Sequence, residues 1–140
     1  MGYMTMKELK ELLNDKVYAI EVELDSKKLA KIGYTTHKDM KTRIASFKPI
    51  GELKEQLTTD SYKVKYHQTP MAKAVERVGK EIAILRGYPK TNNRNLGNGW
   101  TEYFGTPEYP VTQNMIWSCI MSAKKFLLSE TNKGDNNNEK

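Results

Sequence analysis

The chain has 140 residues, of which 38% are hydrophobic and 29% charged, which is material for one hydrophobic core and not for two. Its formal net charge of +6 favours an anionic partner, either nucleic acid or an anionic membrane surface. The lone Cys119 excludes an internal disulfide and a zinc ribbon; residues Met1 to Lys10 carry no leader pattern, and no apolar run approaches the roughly 18 residues of a spanning helix, so the expectation is a soluble, cytoplasmic protein with no membrane partner.

In chain order, Thr5 and Glu8 have capping-box spacing and predict a short helix with Leu9, Leu12 and Leu13, ending near Asn14. From Val17 to Leu24, Tyr18, Ile20, Val22 and Leu24 alternate with Ala19, Glu21 and Glu23, the period of a strand. Asp25 to Lys28 is a polar turn, and a second strand from about Leu29 to Thr35 completes an antiparallel hairpin. A helix from Thr36 or His37 carries Arg43 and closes before Pro49. Tyr62 to Tyr66 alternates as a third strand, with His67 at its end. Thr69-Pro70 then starts a helix whose Met71, Val75, Val78, Ile82 and Leu85 form an amphipathic stripe.

A polar loop, Gly87 to Gly99, precedes Trp100-Thr101-Glu102-Tyr103-Phe104, in which Glu102 reads as part of a packing motif. A last helix covers Thr112 to Ser129 with Met115, Ile116, Cys119, Ile120, Ala123 and Leu127 inward. Residues Thr131 to Lys140 are wholly polar and should form a disordered tail. The expected fold is α+β: one domain over residues 1–130, with a three-stranded antiparallel sheet flanked by helices and an additional C-terminal helix.

Taken singly, the polar residues have ordinary readings. Tyr18 shares a face with core residues, Lys31 reads as an edge charge, and Arg43 as a surface cation. Glu76 pairs with Lys80 four residues on. Gly33 suits a close approach of backbone or DNA.

Their order is more specific. Val17-Tyr18 is followed by Lys31-Ile32-Gly33-Tyr34-Thr35, then Arg43-Ile44, then Ala74-Val75-Glu76, then Glu102-Tyr103-Phe104. This set resembles the GIY-YIG nuclease superfamily, and most of all its small phage-type branch, over about Lys16 to Phe104. Both signature motifs depart from the pattern: Lys16-Val17 stands where the first has Gly-Ile, and Lys31 where the second has Tyr.

The resemblance implies a metal-dependent endonuclease acting on DNA, with RNA as an alternative substrate. Tyr18 would be the general base on the attacking water, and Lys31 would supply the positive charge that helps a phenol ionise. Arg43 would bind the phosphate oxygens, and Glu76 would hold Mg²⁺ or Mn²⁺. Gly33, Tyr34, His37, Lys80 and Arg94 would contact substrate. Lys80 occupies the place of a His common in that branch, with Glu81 as a fallback metal ligand; the family's late Asn finds no single counterpart among Asn92, Asn93, Asn95 and Asn98. The C-terminal helix offers a homodimer surface. Two other readings stand beside the nuclease: a regulator or anti-defence protein that binds nucleic acid or protein on the same fold without catalysis, and an adaptor using the Met-bearing last helix.

Overall fold

The computed structural model describes residues 5–8 and 15–138, those from 131 onward by their backbone alone. Strand β1 (Lys16–Leu24) pairs antiparallel with β2 (Lys27–Thr35), in a register from Lys16 opposite Thr35 to Leu24 opposite Lys27. Only Asp25 and Ser26 lie between the strands, both at positive φ (49° and 64°), the two-residue turn whose twist matches that of the strands. β2 therefore begins at Lys27, earlier than the expected Leu29. β3 (Lys63–Gln68) pairs with the other side of β1, and β4 (Tyr103–Phe104) pairs with Ala30 and Lys31 of β2. The sheet is four-stranded, in the order β3-β1-β2-β4, where three strands were expected. A strand of two residues is too short to show alternation, so β4 is created by its approach to β2. β3 runs to Gln68, one residue past the expected end at His67, whose Nε2 is 3.0 Å from Lys124 Nζ.

Beyond the helical residues 6–8, four helices of the described residues flank the sheet: α1 (Met40–Ala45), α2 (Glu52–Gln56), α3 (Ala72–Leu85) and α4 (Gln113–Asn138). Thr5 and Glu8 form the expected capping box, with Glu8 N donating to Thr5 Oγ1 at 3.1 Å and Thr5 N to Glu8 Oε2 at 3.4 Å. Leu9, Leu12 and Leu13 lie outside the described residues. α1 starts at Met40, later than Thr36 or His37, because Asp39 is its cap and accepts from Thr42 N at 2.8 Å. α3 starts two residues past Pro70, after a turn in which Thr69 Oγ1 accepts from Met71 N. α4 runs through Asn138, past the expected end at Ser129.

Both faces of β1 are buried. Val17 and Ala19, with Ala30, Ile32 and Phe104, pack against the inner faces of α3 and α4. Tyr18, Ile20 and Val22, with Leu29 and Tyr103, pack against Met40, Ile44, Phe47, Leu53 and Leu57. The alternation of β1 therefore separates two cores, where a single core face and a solvent face were expected. Within α3 the buried residues are Ala72, Val75, Gly79 and Ala83, while Leu85 is 84% exposed at the helix end. Small residues let α3 approach the sheet and α4 closely: a Cβ on Gly79 would stand 3.2 Å from Ile32 Cδ1. The loop after α3 is tied down by a 3₁₀ turn at Arg94–Leu96, whose Leu96 is fully buried, and by a bridge from Lys90 to Phe104.

Glu21, on the apolar strand β1, is buried for a reason. Its Oε1 accepts from Gln113 N at 2.8 Å, while Gln113 Nε2 donates to the carbonyls of Ala19 (3.2 Å) and Lys63 (3.0 Å). A carboxylate at a helix start satisfies a free N–H and complements the helix dipole. Glu21→Ala should lower the unfolding free energy by about 1–3 kcal/mol through the orphaned donor. Urea unfolding measures this, and an unchanged midpoint would show that the Glu21 bond contributes nothing net.

Candidate active site

Tyr18 and Gly33 face each other across the hairpin. The phenol ring lies over Gly33 so closely that a Cβ there would fall within the ring. In this structure the Tyr18 ring makes the close approach anticipated at Gly33. Arg43, in the second turn of α1, donates from Nε to the Tyr18 hydroxyl at 3.1 Å. Tyr18 is fully buried, and burial pushes its pKa above the ordinary 10.0, outweighing the hydrogen bond and charge of Arg43, which pull it down. The cation on the phenol oxygen is thus Arg43, where Lys31 was expected to serve.

Lys31 shares this face of the sheet, opposite Ile20. Its side chain is completely buried, with Nζ 4.0 Å from the ring centre of Phe47, 5.3 Å from that of Tyr103 and 5.9 Å from that of Tyr18. Ring faces attract a desolvated ammonium but do not neutralise it. The neutralising group is Glu102, with Oε2 3.5 Å away. Desolvation still lowers the Lys31 pKa from 10.5 to about 8 against the pull of Glu102. The edge-charge reading of Lys31 fails because β4 covers this edge at Lys31 itself, pairing it with Tyr103. Gly99, at φ +81°, leaves room for the ammonium, since a Cβ there would stand 2.8 Å from Lys31 Nζ.

Glu102, at the end of the 3₁₀ turn before β4, connects the two halves of the site. Its Oε1 takes Lys80 Nζ at 3.2 Å, and the same ammonium binds Glu76 Oε1 at 3.1 Å. Burial works against the Glu102 charge, but Lys31 and Lys80 together hold the carboxyl below its ordinary range. β4 pairs only with Ala30 and Lys31, so the β2 edge beyond them carries no strand partner among the described residues. Lys80 of α3, which packs on the opposite face, reaches Glu102, and the charges of Glu102 and Glu76 act on Tyr18.

Tyr18, Lys31, Arg43, Glu76 and Lys80 are therefore brought together from β1, β2, α1 and α3. Gly33 lies beneath the Tyr18 ring of this group, and the Glu76 charge also acts on Tyr34, while His37 and Arg94 make other contacts. Tyr34 points to the opposite sheet face, beside Val17, with its hydroxyl donating to Asp15 Oδ2 at 3.4 Å. His37 is exposed, and its carbonyl accepts from Lys16 Nζ at 2.7 Å. Arg94 is exposed, its guanidinium 5.7 Å from the Trp100 ring centre. Glu81 is exposed on the outer side of α3. Glu102, read as a packing residue, is a member of the site; the available clue was that a strand lysine between aromatic motifs requires a carboxylate when buried.

Among the described residues no three His, Cys, Asp or Glu side chains gather as a metal cage. Glu76 and Glu102 nevertheless present carboxylate oxygens to one shared point, now taken by the Lys80 ammonium. One or two carboxylates suit Mg²⁺, which keeps most of its waters. No family model, curated protein or solved structure matches the chain.

Two measurements probe this geometry. Gly33→Ala forces the Tyr18 ring out of its place and should cost about 1–3 kcal/mol or more in urea unfolding; a cost below 0.5 kcal/mol, within about the range of ordinary surface changes, would mean the ring moves freely. For Lys31, the folded chain releases the proton near pH 8 and the unfolded chain near 10.5. Between these values the unfolded state binds more protons, so the Lys31 contribution to stability rises with pH, while below pH 8 its full desolvation cost is present. The stability of wild type relative to Lys31→Met should rise from pH 8 toward 10, approaching about 3 kcal/mol. A flat difference would show that Lys31 keeps its proton.

Proposed function

We propose that this chain is a GIY-YIG-like, metal-dependent endonuclease that hydrolyses DNA phosphodiester bonds, with RNA as the alternative substrate. The observation that carries this reading is the meeting of Tyr18, Lys31, Arg43 and Glu76, from four separate elements, in one charged site with Arg43 on the Tyr18 hydroxyl. Hydrolysis needs a base for water, cations for the phosphate and a geometry that holds both in place. Tyr18, once ionised to the phenolate, would take a proton from water as the water oxygen bonds to phosphorus; the bond from phosphorus to the leaving oxygen breaks, and that oxygen would take up a proton from surrounding water. Arg43, swinging from the phenol to a non-bridging phosphate oxygen, would uncover the hydroxyl and stabilise the added charge. Glu76 would hold Mg²⁺ or Mn²⁺ once Lys80 withdraws. The ion would neutralise charge on the phosphate and keep ordered water beside it.

A second reading is a binding module without catalysis, a regulator or anti-defence protein on the same fold. It is favoured by the state of the resting site: Tyr18 is fully buried with a raised pKa, and Glu76 is neutralised by Lys80.

Plasmid DNA incubated with the protein and Mg²⁺ or Mn²⁺ separates the two. The nuclease should nick or linearise it, and Tyr18→Phe and Glu76→Ala should each cut at least about 100-fold more slowly while still shifting DNA on a gel. Where chemistry limits the rate, cleavage should climb with pH from 6 to about 8, since Tyr18 titrates above 10.0, and flatten as Lys31 loses its proton near 8. Intact plasmid with a retained shift selects the binding module, and unimpaired cleavage by both variants removes Tyr18 and Glu76 from the chemistry.

A further inference from the structure

Lys31 and Lys80 come from opposite faces of the sheet and end on the same carboxylate, one on each oxygen of Glu102. Two ammonium groups converging on two oxygens of one anion is the arrangement with which proteins hold a phosphate. Neither ammonium faces water freely: Lys31 is completely buried, and the Lys80 side chain is 22% exposed. The Glu102 side chain, 33% exposed, is the most accessible of the three. Its neighbour Tyr103 is fully buried and paired with Lys31, so the backbone here is anchored, whereas the carboxylate can leave by side-chain rotation alone.

We propose that Lys31 and Lys80 form an anion subsite for a nucleic-acid phosphate, and that the Glu102 carboxylate is its resident occupant, which the phosphate must displace. This rests on the nucleic-acid reading above and specifies how that site is regulated. A phosphodiester brings the same single negative charge as the carboxylate, so exchanging one for the other keeps Lys31 neutralised while it stays buried. Displacement also frees Lys80 from the Glu102 side of its bridge between the two acids. A segment of chain that offers no phosphate leaves Glu102 in place, so the exchange discriminates against polyanions that cannot reach Lys31, such as acidic protein surfaces.

The test is equilibrium binding, in EDTA so that cleavage plays no part, of a short DNA duplex and a short single strand to wild type and Glu102→Gln. It is run at pH 6, where the buried ammonium holds its proton more firmly. Glu102→Gln keeps the shape but removes the competing charge. It should bind at least about fivefold more tightly at a fixed salt concentration, and its affinity should fall more steeply with salt, by about one further counter-ion in the slope. Inorganic phosphate, titrated against each protein with the side-chain ¹⁵N ammonium signals of lysine observed, should shift the Lys31 and Lys80 signals at lower concentration in the variant. Glu102→Ala, which likewise removes the competing charge, provides the same comparison if Glu102→Gln is too unstable to study. Equal or weaker binding with an unchanged salt slope overturns the proposal and leaves Glu102 as a structural partner of Lys31. Failure of both proteins to bind either DNA or phosphate also overturns it. A tighter-binding variant of a protein that never cleaves DNA supports the subsite while removing the nuclease reading, so the two can fail separately.

Discussion

A lysine without access to water has to be neutralised, and much of this structure is arranged around that requirement at Lys31. Its ammonium stands among the rings of Phe47, Tyr103 and Tyr18 and next to the carboxylate of Glu102. Desolvating an ammonium costs several kcal/mol, and neither ring faces nor a single ion pair at 3.5 Å recovers all of it, which is why the group titrates near 8. Glycine at position 99 leaves space for the ammonium, the 3₁₀ turn Trp100–Glu102 delivers the carboxylate, and β4 closes over the strand at Lys31. A buried charge held this way is a weak source of stability and a strong determinant of geometry.

The same principle extends outward through the site. Each charged group has a polar partner: Arg43 donates to the Tyr18 hydroxyl, Lys31 pairs with Glu102, and Lys80 pairs with Glu102 and Glu76. The resting arrangement is therefore closed on itself. Under the proposed function a phosphate would have to replace internal partners rather than fill empty positions, and the Tyr18 phenol would become accessible as Arg43 turned toward it.

Most of the fold was legible because it rests on local rules. The hairpin was visible in the period-2 run of β1 and the polar turn Asp25 to Lys28, and α4 in its apolar spacing, because periodicity and turn chemistry act over a few residues. The extra strand was not legible: Tyr103–Phe104 becomes β4 only by lying against Ala30 and Lys31, far away in sequence. Nor was the second core. Ala19 and Glu21 look like the outer face of a one-sided strand, yet α3 and α4 cover that face, and Gln113 gives Glu21 its hydrogen bond. Of the apolar stripe of α3, Met71, Val75, Val78 and Ile82 do pack on the core, together with the small residues Ala72, Gly79 and Ala83 that a stripe of large side chains leaves out, while Leu85 stays exposed at the helix end.

By itself, then, the sequence determined a basic α+β chain built on one antiparallel hairpin, and nominated Tyr18, Lys31, Arg43 and Glu76 by their order along it. Order along a chain identifies residues but not which atoms touch. Only the tertiary structure decided that Arg43 rather than Lys31 meets the Tyr18 hydroxyl, that Gly33 exists to admit the Tyr18 ring, and that Tyr34 faces away. It alone brought Glu102 to the buried ammonium of Lys31. The reason is that electrostatic pairing depends on distance and desolvation in space, and residues 31 and 102 become neighbours only when β4 docks on β2 and removes water from between them.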